Sequence, residues 1–422
     1  MNMEKLVIDG GIPLCGKIDL QGSKNSALPV LAATAAVDGI SVIHNCPDLS
    51  DVAAAVKILE HIGCKVKREG HTVIVDARNA CGFEIPETQM REMRSSIVFL
   101  GALLSRFGKA AVTPPGGCEI GLRPIDLHLS SLRSLGVSVC ENGGILECRA
   151  ENGMKGCHIS LAFPSVGATE NIILSALSAQ GETVITNAAR EPEIIDLADF
   201  LCSCGAKISG AGQSTVRISG VKRLNGTEHR IIPDRIVAST FMAAAAATGG
   251  EITVNGAVRE HLSPIIPVFE TVGCRTEFSG NEMRISAPRK LTRVKSLRTM
   301  PYPGFPTDSQ AIIMAMLVTA KGTSVVTEKI FENRFRHVPE LIKMGADIRV
   351  EDGCVAVIDG VERLHGARVS AGDLRGGCAL AVAALAAAGR TEIDRIYHID
   401  RGCEAIEKSF SQLGARIKRE RI

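Results

Sequence analysis

The stretch Met242-Ala243-Ala244-Ala245-Ala246-Ala247 lies within residues 237–250, a segment that is apolar around nearly its whole circumference. We predict a helix here, and a helix without a polar face has to be buried on all sides. Glycine ends the segment, because the residue after a helix often takes a positive φ. The residues after Gly250 are β-branched, which predicts a strand. This combination decides the fold because it recurs along the chain.

Two markers repeat along the whole sequence. Segments like the one above end at Gly39, Gly108, Gly181, Gly250, Gly322 and Gly389, at intervals of 67–73 residues. Amphipathic helices, each followed by a strand, end at Gly63, Gly136, Gly205, Gly273, Gly345 and Gly414, at intervals of 68–73 residues. The chain is therefore predicted to consist of six copies of one α/β unit, each with a buried helix, a strand, a half-exposed helix and further strands.

The sixth copy lacks its last strand pair, and residues 1–23 supply a matching pair. If three copies form a domain, one domain comprises residues 24–232, and a discontinuous second domain comprises residues 1–23 and 233–422. Two chain crossings would then link the domains. A cleft between domains is a usual place for a ligand, so we expect the site there.

Composition excludes several classes of function. Lys and Arg number 48 against 46 Asp and Glu, a net charge of +2, which gives no sign of nucleic-acid or membrane binding. No apolar run is long enough for a membrane span, and the N-terminus lacks a signal-peptide pattern. The 14 cysteines form no CxxC pairs or metal-ligand spacing. We therefore expect reduced thiols in a cytoplasmic protein without a metal or cofactor.

Charged residues stand where the buried helices begin. Lys24, Arg94, Arg375 and Asp308 occupy this position in different copies. Helix N-termini attract anions, but each dipole contributes only about 0.3–1 kcal/mol, so the cations would supply most of the attraction. The set favours an anion site that contains one acid or base. Ordinary N-capping is the alternative, and it suffices for Ser23 or Thr169 alone.

A second ring of charges precedes the second helices. Its members are Asp48, Arg123, Arg190, Arg259, Arg334 and Arg401. Arginine binds carboxylate and phosphate through two parallel hydrogen bonds. Five arginines in equivalent loops therefore predict a ligand-binding face rather than a solvated one.

The loop at residues 114–124 is about four residues longer than its counterparts in the other copies. It holds Cys118, five residues before Arg123, among prolines and glycines. The loop is interpreted as a lid that carries a reactive thiol, and a surface turn with an incidental cysteine is the alternative. Nearby His128 is open between a ligand contact and a packing residue. A phosphate-binding Walker loop and a Ser-His-Asp pattern are both absent from the sequence.

Seven motifs resemble those of the enolpyruvyl transferase family, in particular its peptidoglycan branch, and the resemblance covers the whole chain. They are Gly22-Ser23-Lys24-Asn25-Ser26-Ala27-Leu28-Pro29, Pro115-Gly116-Gly117-Cys118-Glu119-Ile120-Gly121, Arg123-Pro124-Ile125-Asp126-Leu127-His128, Ser165-Val166-Gly167-Ala168-Thr169-Glu170-Asn171, Phe305-Pro306-Thr307-Asp308, Phe331-Glu332-Asn333-Arg334-Phe335 and His398-Ile399-Asp400-Arg401-Gly402. The resemblance implies an inside-out α/β barrel in each of two similar domains, with three βαβαββ-type units per domain.

The family reaction transfers the enolpyruvyl group of phosphoenolpyruvate to the 3-hydroxyl of UDP-N-acetylglucosamine and releases phosphate. The resemblance implies roles for four groups of residues. Cys118 would be the acid and Asp308 the base, while Lys24, Arg123 and Arg401 would hold phosphoenolpyruvate. Residues that order the two substrates would be Asn25, Arg94, Arg375 and the segment Arg123, Pro124, Ile125, Asp126 and Leu127. The UDP-sugar would contact Ser165, Val166, Gly167 and Ile330. Fosfomycin, an epoxide that mimics phosphoenolpyruvate, would alkylate Cys118.

A few positions depart from the family pattern. Cys403 replaces the tyrosine that usually follows Arg401-Gly402, and residues 376–378 make the start of the last buried helix unusually small. Two alternative functions remain open. They are the shikimate-pathway enolpyruvyl transferase, which lacks the cysteine loop, and a catalytically silent paralogue that binds UDP-sugar.

Overall fold

The structure is a computed structural model that describes residues 4–115, 121 and 124–421. The described residues divide into two compact units. Unit A comprises those of 22–118 and 123–232, and unit B comprises those of 1–21, 119–122 and 233–422. Each unit contains three of the six sequence repeats and is described separately. Within the described ranges, no helix is long and apolar enough to cross a membrane.

Each repeat has a buried first helix and a shorter or half-exposed second one. The first helices are α1 (Lys24–Thr34), α4 (Phe99–Phe107), α6 (Val166–Ala176), α8 (Arg235–Thr248), α11 (Thr307–Leu317) and α13 (Leu374–Ala386). The second helices are α2 (Ser50–His61), α5 (Asp126–Ser134), α7 (Pro192–Ser203), the pair α9 (Arg259–Leu262) and α10 (Ile266–Thr271), α12 (Val338–Lys343) and α14 (Ile406–Gln412). Helix α3 (Glu87–Glu92) and the 3₁₀ helices Arg94–Val98 and Ile396–Arg401 are additional.

The strands form six four-stranded sheets, three in each unit. Unit A contains β3 (Ile40–His44), β4 (Lys65–Glu69), β5 (Thr72–Asp76), β6 (Glu84–Ile85), β7 (Lys109–Val112), β8 (Ser138–Asn142), β9 (Ile145–Arg149), β10 (His158–Ser160), β11 (Glu182–Thr186), β12 (Lys207–Ser209), β13 (Thr215–Ser219) and β14 (Glu228–Arg230). Unit B contains β1 (Glu4–Asp9), β2 (Cys15–Asp19), β15 (Glu251–Asn255), β16 (Arg275–Ser279), β17 (Glu282–Ser286), β18 (Ser296–Arg298), β19 (Thr323–Thr327), β20 (Asp347–Glu351), β21 (Val355–Asp359), β22 (Arg368–Ser370), β23 (Arg390–Asp394) and β24 (Arg416–Arg421).

All six sheets have one topology. In each, an edge strand pairs in parallel with the strand that follows the buried helix, and two antiparallel strands complete the sheet. The edge strand always comes from the preceding repeat. In unit A, β6 pairs with β7 and β10 pairs with β11 of the following repeat. Strand β14, from the third repeat, pairs with β3 of the first repeat. The predicted α/β repeat is confirmed, and each unit closes its repeats in a cycle.

Residues near the N-terminus complete two sheets of unit B. Strand β1 pairs antiparallel with β23 and β24, so it completes the sheet of the sixth repeat, as predicted. Strand β2 does not join that sheet. It pairs in parallel with β15, in the sheet of the fourth repeat, because the last strand of every repeat is passed to the next one.

The first helices form the core of each unit. In unit A, α4 packs against α1 and α6, and in unit B α8, α11 and α13 pack against one another. Ala, Gly and Ser supply much of their surface, and every residue of α8 from Arg235 to Ala246 is buried. Small side chains allow the close helix approach that a three-helix core surrounded by sheets requires.

The glycine that ends each helix has one of two roles. After the second helices, all six glycines take a φ of 86° to 103°, as predicted. After the first helices, Gly108, Gly181, Gly322 and Gly389 also have a positive φ. The prediction is wrong at Gly39 and Gly250. A β-carbon on Gly39 would lie 2.5 Å from the Gly226 nitrogen, and one on Gly250 would overlap the Leu14 carbonyl oxygen. At these two positions, glycine is needed because another backbone segment lies too close for a side chain.

A glycine of unit B that lies equally close to another backbone segment allows a test of the core. A β-carbon on Gly360, which follows β21, would overlap the carbonyl oxygen of Ala320. We expect Gly360→Ala to lower the free energy of unfolding by about 3 kcal/mol, because backbone has to move. Gly372→Ala is the matched control, since its added carbon meets no atom within 4 Å. Equal urea midpoints for the two variants would contradict this explanation.

Candidate active site

Asp308 is held by two buried arginines in unit B. It lies in the first turn of α11, and its two carboxylate oxygens accept hydrogen bonds of 2.8 Å from Arg334 Nη2 and from Arg375 Nη2. The Arg334 and Arg375 side chains are 3% and 4% exposed, whereas that of Asp308 is 29% exposed. Two buried cations therefore fix the position of a partly exposed carboxylate.

Arg375 lies in the first turn of α13. Asp373 caps this helix by accepting hydrogen bonds of 3.0 Å from the backbone nitrogens of Arg375 and Gly376. Burial alone would lower the pKa of Arg375, but the charges of Asp308 and Asp234 outweigh it, and the pKa is raised. Its Nη1 atom is buried and donates to no described acceptor. A buried cation with an unused donor fits an anionic ligand.

Glu328 orders the residues around Asp308. Its carboxylate accepts hydrogen bonds from the Thr307 hydroxyl (2.9 Å) and from the Ile330 backbone nitrogen (2.7 Å), and it is 2% exposed. It thus ties the start of α11 to the turn that carries Ile330. Sequence reasoning missed Glu328, because its position directly after β19 is its only sequence signal.

Two sequence predictions about these charges need correction. Asp308 was predicted as the one acid or base of an anion site, with no partner specified, but its carboxylate pairs with arginines 26 and 67 residues away. The ring of arginines before the second helices does not act as one set. Arg334 is buried against Asp308, Arg190 is exposed, and Arg259 is exposed and lies over the Phe278 ring. Equivalent backbone positions do not fix where such long side chains point.

Arg401 is the last residue of the 3₁₀ helix Ile396–Arg401 in unit B and is half-buried. The preceding residue, Asp400, accepts hydrogen bonds of 2.6 and 2.9 Å from the Arg419 guanidinium. The same guanidinium also binds Glu4 and Glu407. This network fixes the short helix that carries Arg401 to the sheet.

In unit A, Lys24 is the first residue of α1. Its ammonium group lies 3.2 Å from the Asp51 carboxylate, and the two side chains are 12% and 4% exposed. Asn25 follows, and then the Ser26 hydroxyl donates to the buried Asp196, which also hydrogen-bonds His229 Nε2 at 3.0 Å. This serine is not a nucleophile of a triad, because the carboxylate lies between the serine and the histidine.

Other predicted residues of unit A also lie near helix starts. Arg94 begins a 3₁₀ helix that leads into α4 and is half-buried. Pro124 and Ile125 precede α5, which begins at Asp126 and Leu127. These positions agree with the sequence prediction for their elements, and their roles toward a substrate stay predictions.

Ser165, Val166 and Gly167 form the start of α6. The Ser165 side chain accepts a hydrogen bond from the Ala168 nitrogen, so it caps the helix. A β-carbon on Gly167 would lie 3.1 Å from the ring of His128. His128 is buried, and its Nδ1 accepts a 2.7 Å hydrogen bond from the Asn171 amide. The structure thus favours the packing role for His128.

Cys118 and Arg123 lie outside the described residues. The acid, one phosphoenolpyruvate ligand and the lid interpretation of their loop therefore rest on the sequence alone. Among the described residues, no group of three or more His, Cys, Asp or Glu side chains could hold a metal ion.

His337 is buried beside this site in unit B, where a β-carbon on Gly376 would lie 3.2 Å from its Cβ atom. Neither of its buried ring nitrogens makes a hydrogen bond of good geometry to a described atom. Burial, reinforced by the Arg334 charge and opposed by the Asp373 charge and by a weak contact with the Arg334 backbone, lowers the pKa of His337 to about 4. The ring is therefore neutral in the folded protein at neutral pH.

Because the unfolded chain protonates His337 at a higher pH than the folded protein does, acid should destabilise the fold. We expect this histidine to account for a loss of about 3 kcal/mol of unfolding free energy as the pH falls from about 6.5 to about 4. Urea titrations of the wild type and His337→Asn across this range measure it, and the variant should lose less stability. His158→Asn, at an exposed position on β10, is the control. Parallel curves for wild type and His337→Asn would contradict the prediction.

The fold and these charged helix starts define a class of protein, and comparison with known proteins identifies it. The model of the EPSP synthase (3-phosphoshikimate 1-carboxyvinyltransferase) family matches residues 8–410. The chain belongs to this family.

Within the family, curated relatives are similar over their whole length. The chain is 52% identical to UDP-N-acetylglucosamine 1-carboxyvinyltransferase 2 of Caldanaerobacter subterraneus subsp. tengcongensis, over 99% of this chain and 100% of the relative. It is 47% identical to UDP-N-acetylglucosamine 1-carboxyvinyltransferase of Desulfatibacillum aliphaticivorans, with the same coverage.

Solved structures agree with the fold. The crystal structure of the enolpyruvyl transferase NikO from Streptomyces tendae matches with a TM-score of 0.90 at 26% identity, over 100% of both chains. The EPSP synthase of Acinetobacter baumannii matches with a TM-score of 0.77 at 18% identity, over 99% of this chain and 100% of that one, which supports the fold alone.

Proposed function

We propose that the chain transfers the enolpyruvyl group of phosphoenolpyruvate to the 3-hydroxyl of UDP-N-acetylglucosamine and releases phosphate. This reaction is the first committed step of peptidoglycan synthesis, and we place it in the cytoplasm, in support of cell shape and division. One observation carries the proposal. Relatives that are 46–52% identical over the full chain are named as enzymes of this activity.

The cluster of Asp308, Arg334 and Arg375 in unit B supports a role in proton transfer and in the binding of anionic substrates. Asp308 would accept the proton of the sugar hydroxyl, because it is a partly exposed carboxylate among otherwise buried charges. Arg375 would use Nη1, which donates to no described acceptor, to order the anionic substrates, and Arg401 would bind phosphoenolpyruvate. Ile330, on the turn that Glu328 orders, would contact the UDP-sugar.

In unit A, Lys24 would bind phosphoenolpyruvate together with Arg123. Its present contact with Asp51 keeps the ammonium group at the start of α1. Asn25, Arg94 and residues 124–127 would order the substrates. Ser165, Val166 and Gly167 would contact the UDP-sugar from the N-terminus of α6, where backbone N–H groups favour anions.

The proposed chemistry has two stages. In the addition stage, the sugar oxygen bonds to C2 of phosphoenolpyruvate, Cys118 donates a proton to C3, and Asp308 takes the hydroxyl proton. In the elimination stage, the methyl group returns a proton to the Cys118 thiolate, the C–O bond to phosphate breaks, and the double bond reforms. Lys24 and the arginines would stabilise the charge of the departing phosphate.

Phosphate release tests the function directly. Purified protein is mixed with phosphoenolpyruvate and either UDP-N-acetylglucosamine or shikimate 3-phosphate, and inorganic phosphate is measured. We expect release only with the UDP-sugar. Release only with shikimate 3-phosphate would establish the sister activity, and no release despite binding of the UDP-sugar would establish a silent paralogue. Either result overturns the proposal.

Fosfomycin provides a test of Cys118. We expect its thiolate to open the epoxide and to form one covalent adduct per chain, which intact-mass analysis and peptide mapping detect. We expect the matched variant Cys118→Asp to keep a proton donor, to retain turnover and to escape the adduct. An adduct on another cysteine would refute the assignment, and a folded but inactive Cys118→Asp enzyme would contradict a purely acidic role.

A further inference from the structure

Two cysteines of unit B lie in contact inside the core. The sulfur atoms of Cys378 and Cys403 are 3.1 Å apart, and both residues are free thiols. Cys378 lies on α13 and is fully buried, and Cys403 lies two residues after the 3₁₀ helix Ile396–Arg401 and is 4% exposed. Both positions depart from the family sequence pattern, and the proposed reaction uses neither.

Glycines bring the two elements this close. A β-carbon on Gly377 would lie 2.6 Å from Ile399 Cγ1, and a β-carbon on Gly402 would lie 2.6 Å from Leu374 Cδ2. The Gln21 side chain holds the turn from the other side, since it donates to the Gly402 carbonyl (3.2 Å) and accepts from the Glu404 nitrogen (2.8 Å). The contact between the thiols is therefore built into the packing of two fixed elements.

Both elements carry arginines of the candidate active site. Arg375 stands three residues before Cys378 on α13, and its guanidinium binds Asp308. Arg401 stands two residues before Cys403, at the end of its short helix. A covalent bond between the two sulfurs would connect the backbones that position these two arginines.

We propose that Cys378 and Cys403 form a modification site, at which a hydroperoxide reversibly converts the two thiols into an intramolecular disulfide. One sulfur attacks the peroxide, the O–O bond breaks, and a sulfenic acid and one water form. The second thiol attacks that sulfur, the S–O bond breaks, and a second water leaves. Two thiols are thus oxidised by two electrons, and one molecule of hydrogen peroxide is reduced to two of water.

The environment indicates which sulfur reacts first and how fast. The contact with Cys378 and burial together raise the pKa of Cys403, so Cys403 stays a thiol. We therefore expect Cys378 to attack the peroxide and Cys403 to resolve the resulting sulfenic acid. Reaction should be slower than at exposed thiols, because only a small neutral oxidant can enter the packed core.

The effect on activity rests on the proposed function. A disulfide has a sulfur–sulfur distance of about 2.05 Å, so the two sulfurs have to approach by about 1 Å. In a close-packed core this movement passes to the neighbouring residues. A displacement of about 1 Å in groups that position a substrate costs up to about 100-fold in rate. We expect at least a 10-fold loss of kcat/KM for phosphoenolpyruvate on oxidation, and recovery with dithiothreitol.

Peptide mapping tests the bond independently of activity. The whole protein is treated with hydrogen peroxide, its remaining thiols are blocked, and it is digested with trypsin without reduction. Cleavage after Arg375, Arg390, Arg401 and Lys408 places the two cysteines alone in peptides 376–390 and 402–408. We expect these peptides to be joined, with the loss of two hydrogen atoms. If the exposed Cys15 and Cys81 become oxidised while the two peptides stay separate and reduced, the proposal is overturned.

Cys403→Ala is the matched variant. It cannot form the linkage and keeps every other cysteine, including Cys118, so peroxide damage elsewhere affects it and the wild type equally. We expect peroxide to reduce the activity of the wild type at least 10-fold more than that of the variant, and dithiothreitol to restore that difference. If the linked peptide forms but both proteins lose activity equally, the bond exists and its effect on the site is refuted. Absence of activity in both reduced proteins would instead refute the proposed function.

Discussion

Asp308→Asn is expected to reduce kcat by about 1,000-fold or more while phosphoenolpyruvate still binds. The amide keeps the shape of the side chain but cannot accept the hydroxyl proton, and general base catalysis typically contributes 10²–10⁴-fold. The change also leaves Arg334 and Arg375 buried without their shared negative charge. Steady-state turnover and direct titration of phosphoenolpyruvate binding measure the two effects separately.

Two controls distinguish loss of catalysis in Asp308→Asn from loss of folding. Removing one partner of a buried ion pair destabilises a protein by about 3–5 kcal/mol, so the melting temperature of the variant has to be measured first. Asp359→Asn, at an exposed carboxylate that pairs with Arg349, should leave turnover unchanged. Normal turnover of a folded Asp308→Asn enzyme would remove Asp308 from the mechanism.

Arg375→Lys is expected to raise KM for phosphoenolpyruvate by about 10–100-fold. Lysine keeps the charge but loses the planar fork, in which one nitrogen binds Asp308 and another has no described acceptor. Hydrogen bonds to charged groups are worth about 1.5–3 kcal/mol, which corresponds to this range. The effect on kcat should be smaller, because Arg334 still binds Asp308.

The matched control for Arg375→Lys is Arg368→Lys, since Arg368 is an exposed arginine that pairs with Asp394 on a sheet edge. It should leave both kinetic constants unchanged. If Arg375→Lys raises neither KM nor the dissociation constant for phosphoenolpyruvate, the unpartnered donor is not a ligand of the substrate, and Arg375 serves only to hold Asp308.

The fold could be predicted from the sequence because its signals are local. A buried helix needs small apolar residues on every face, and a helix end needs a backbone that glycine readily adopts, as at Gly63 and Gly345. Repetition of these signals gave the six α/β repeats. The pairing of a strand with the next repeat could not be predicted. The sequences of β2 and β6 carry no feature that shows whether they join the sheet of the repeat before them or that of the repeat after them.

The candidate site was harder to predict because its contacts are non-local. The position of Asp308 at a helix start could be predicted, but its two arginine partners depend on the folding of its own repeat and on how the next repeat packs against it. The Asp51 partner of Lys24 and the Asn171 partner of His128 depend on packing in the same way. Charged residues at equivalent positions indicate where a site lies, whereas side-chain direction decides which of them take part.

The pairing of β1 with β24 has a consequence for the synthesis of the protein. Glu4–Asp9 leaves the ribosome roughly 400 residues before its partner Arg416–Arg421 does. At about 5–20 residues per second, the first strand waits roughly 20–80 seconds with its edges unpaired. Unit A has all of its described strands by residue 230 and can fold during translation, whereas unit B can close only after β24 emerges. Chaperones that bind nascent chains would therefore have to protect β1 for longer than any strand of unit A.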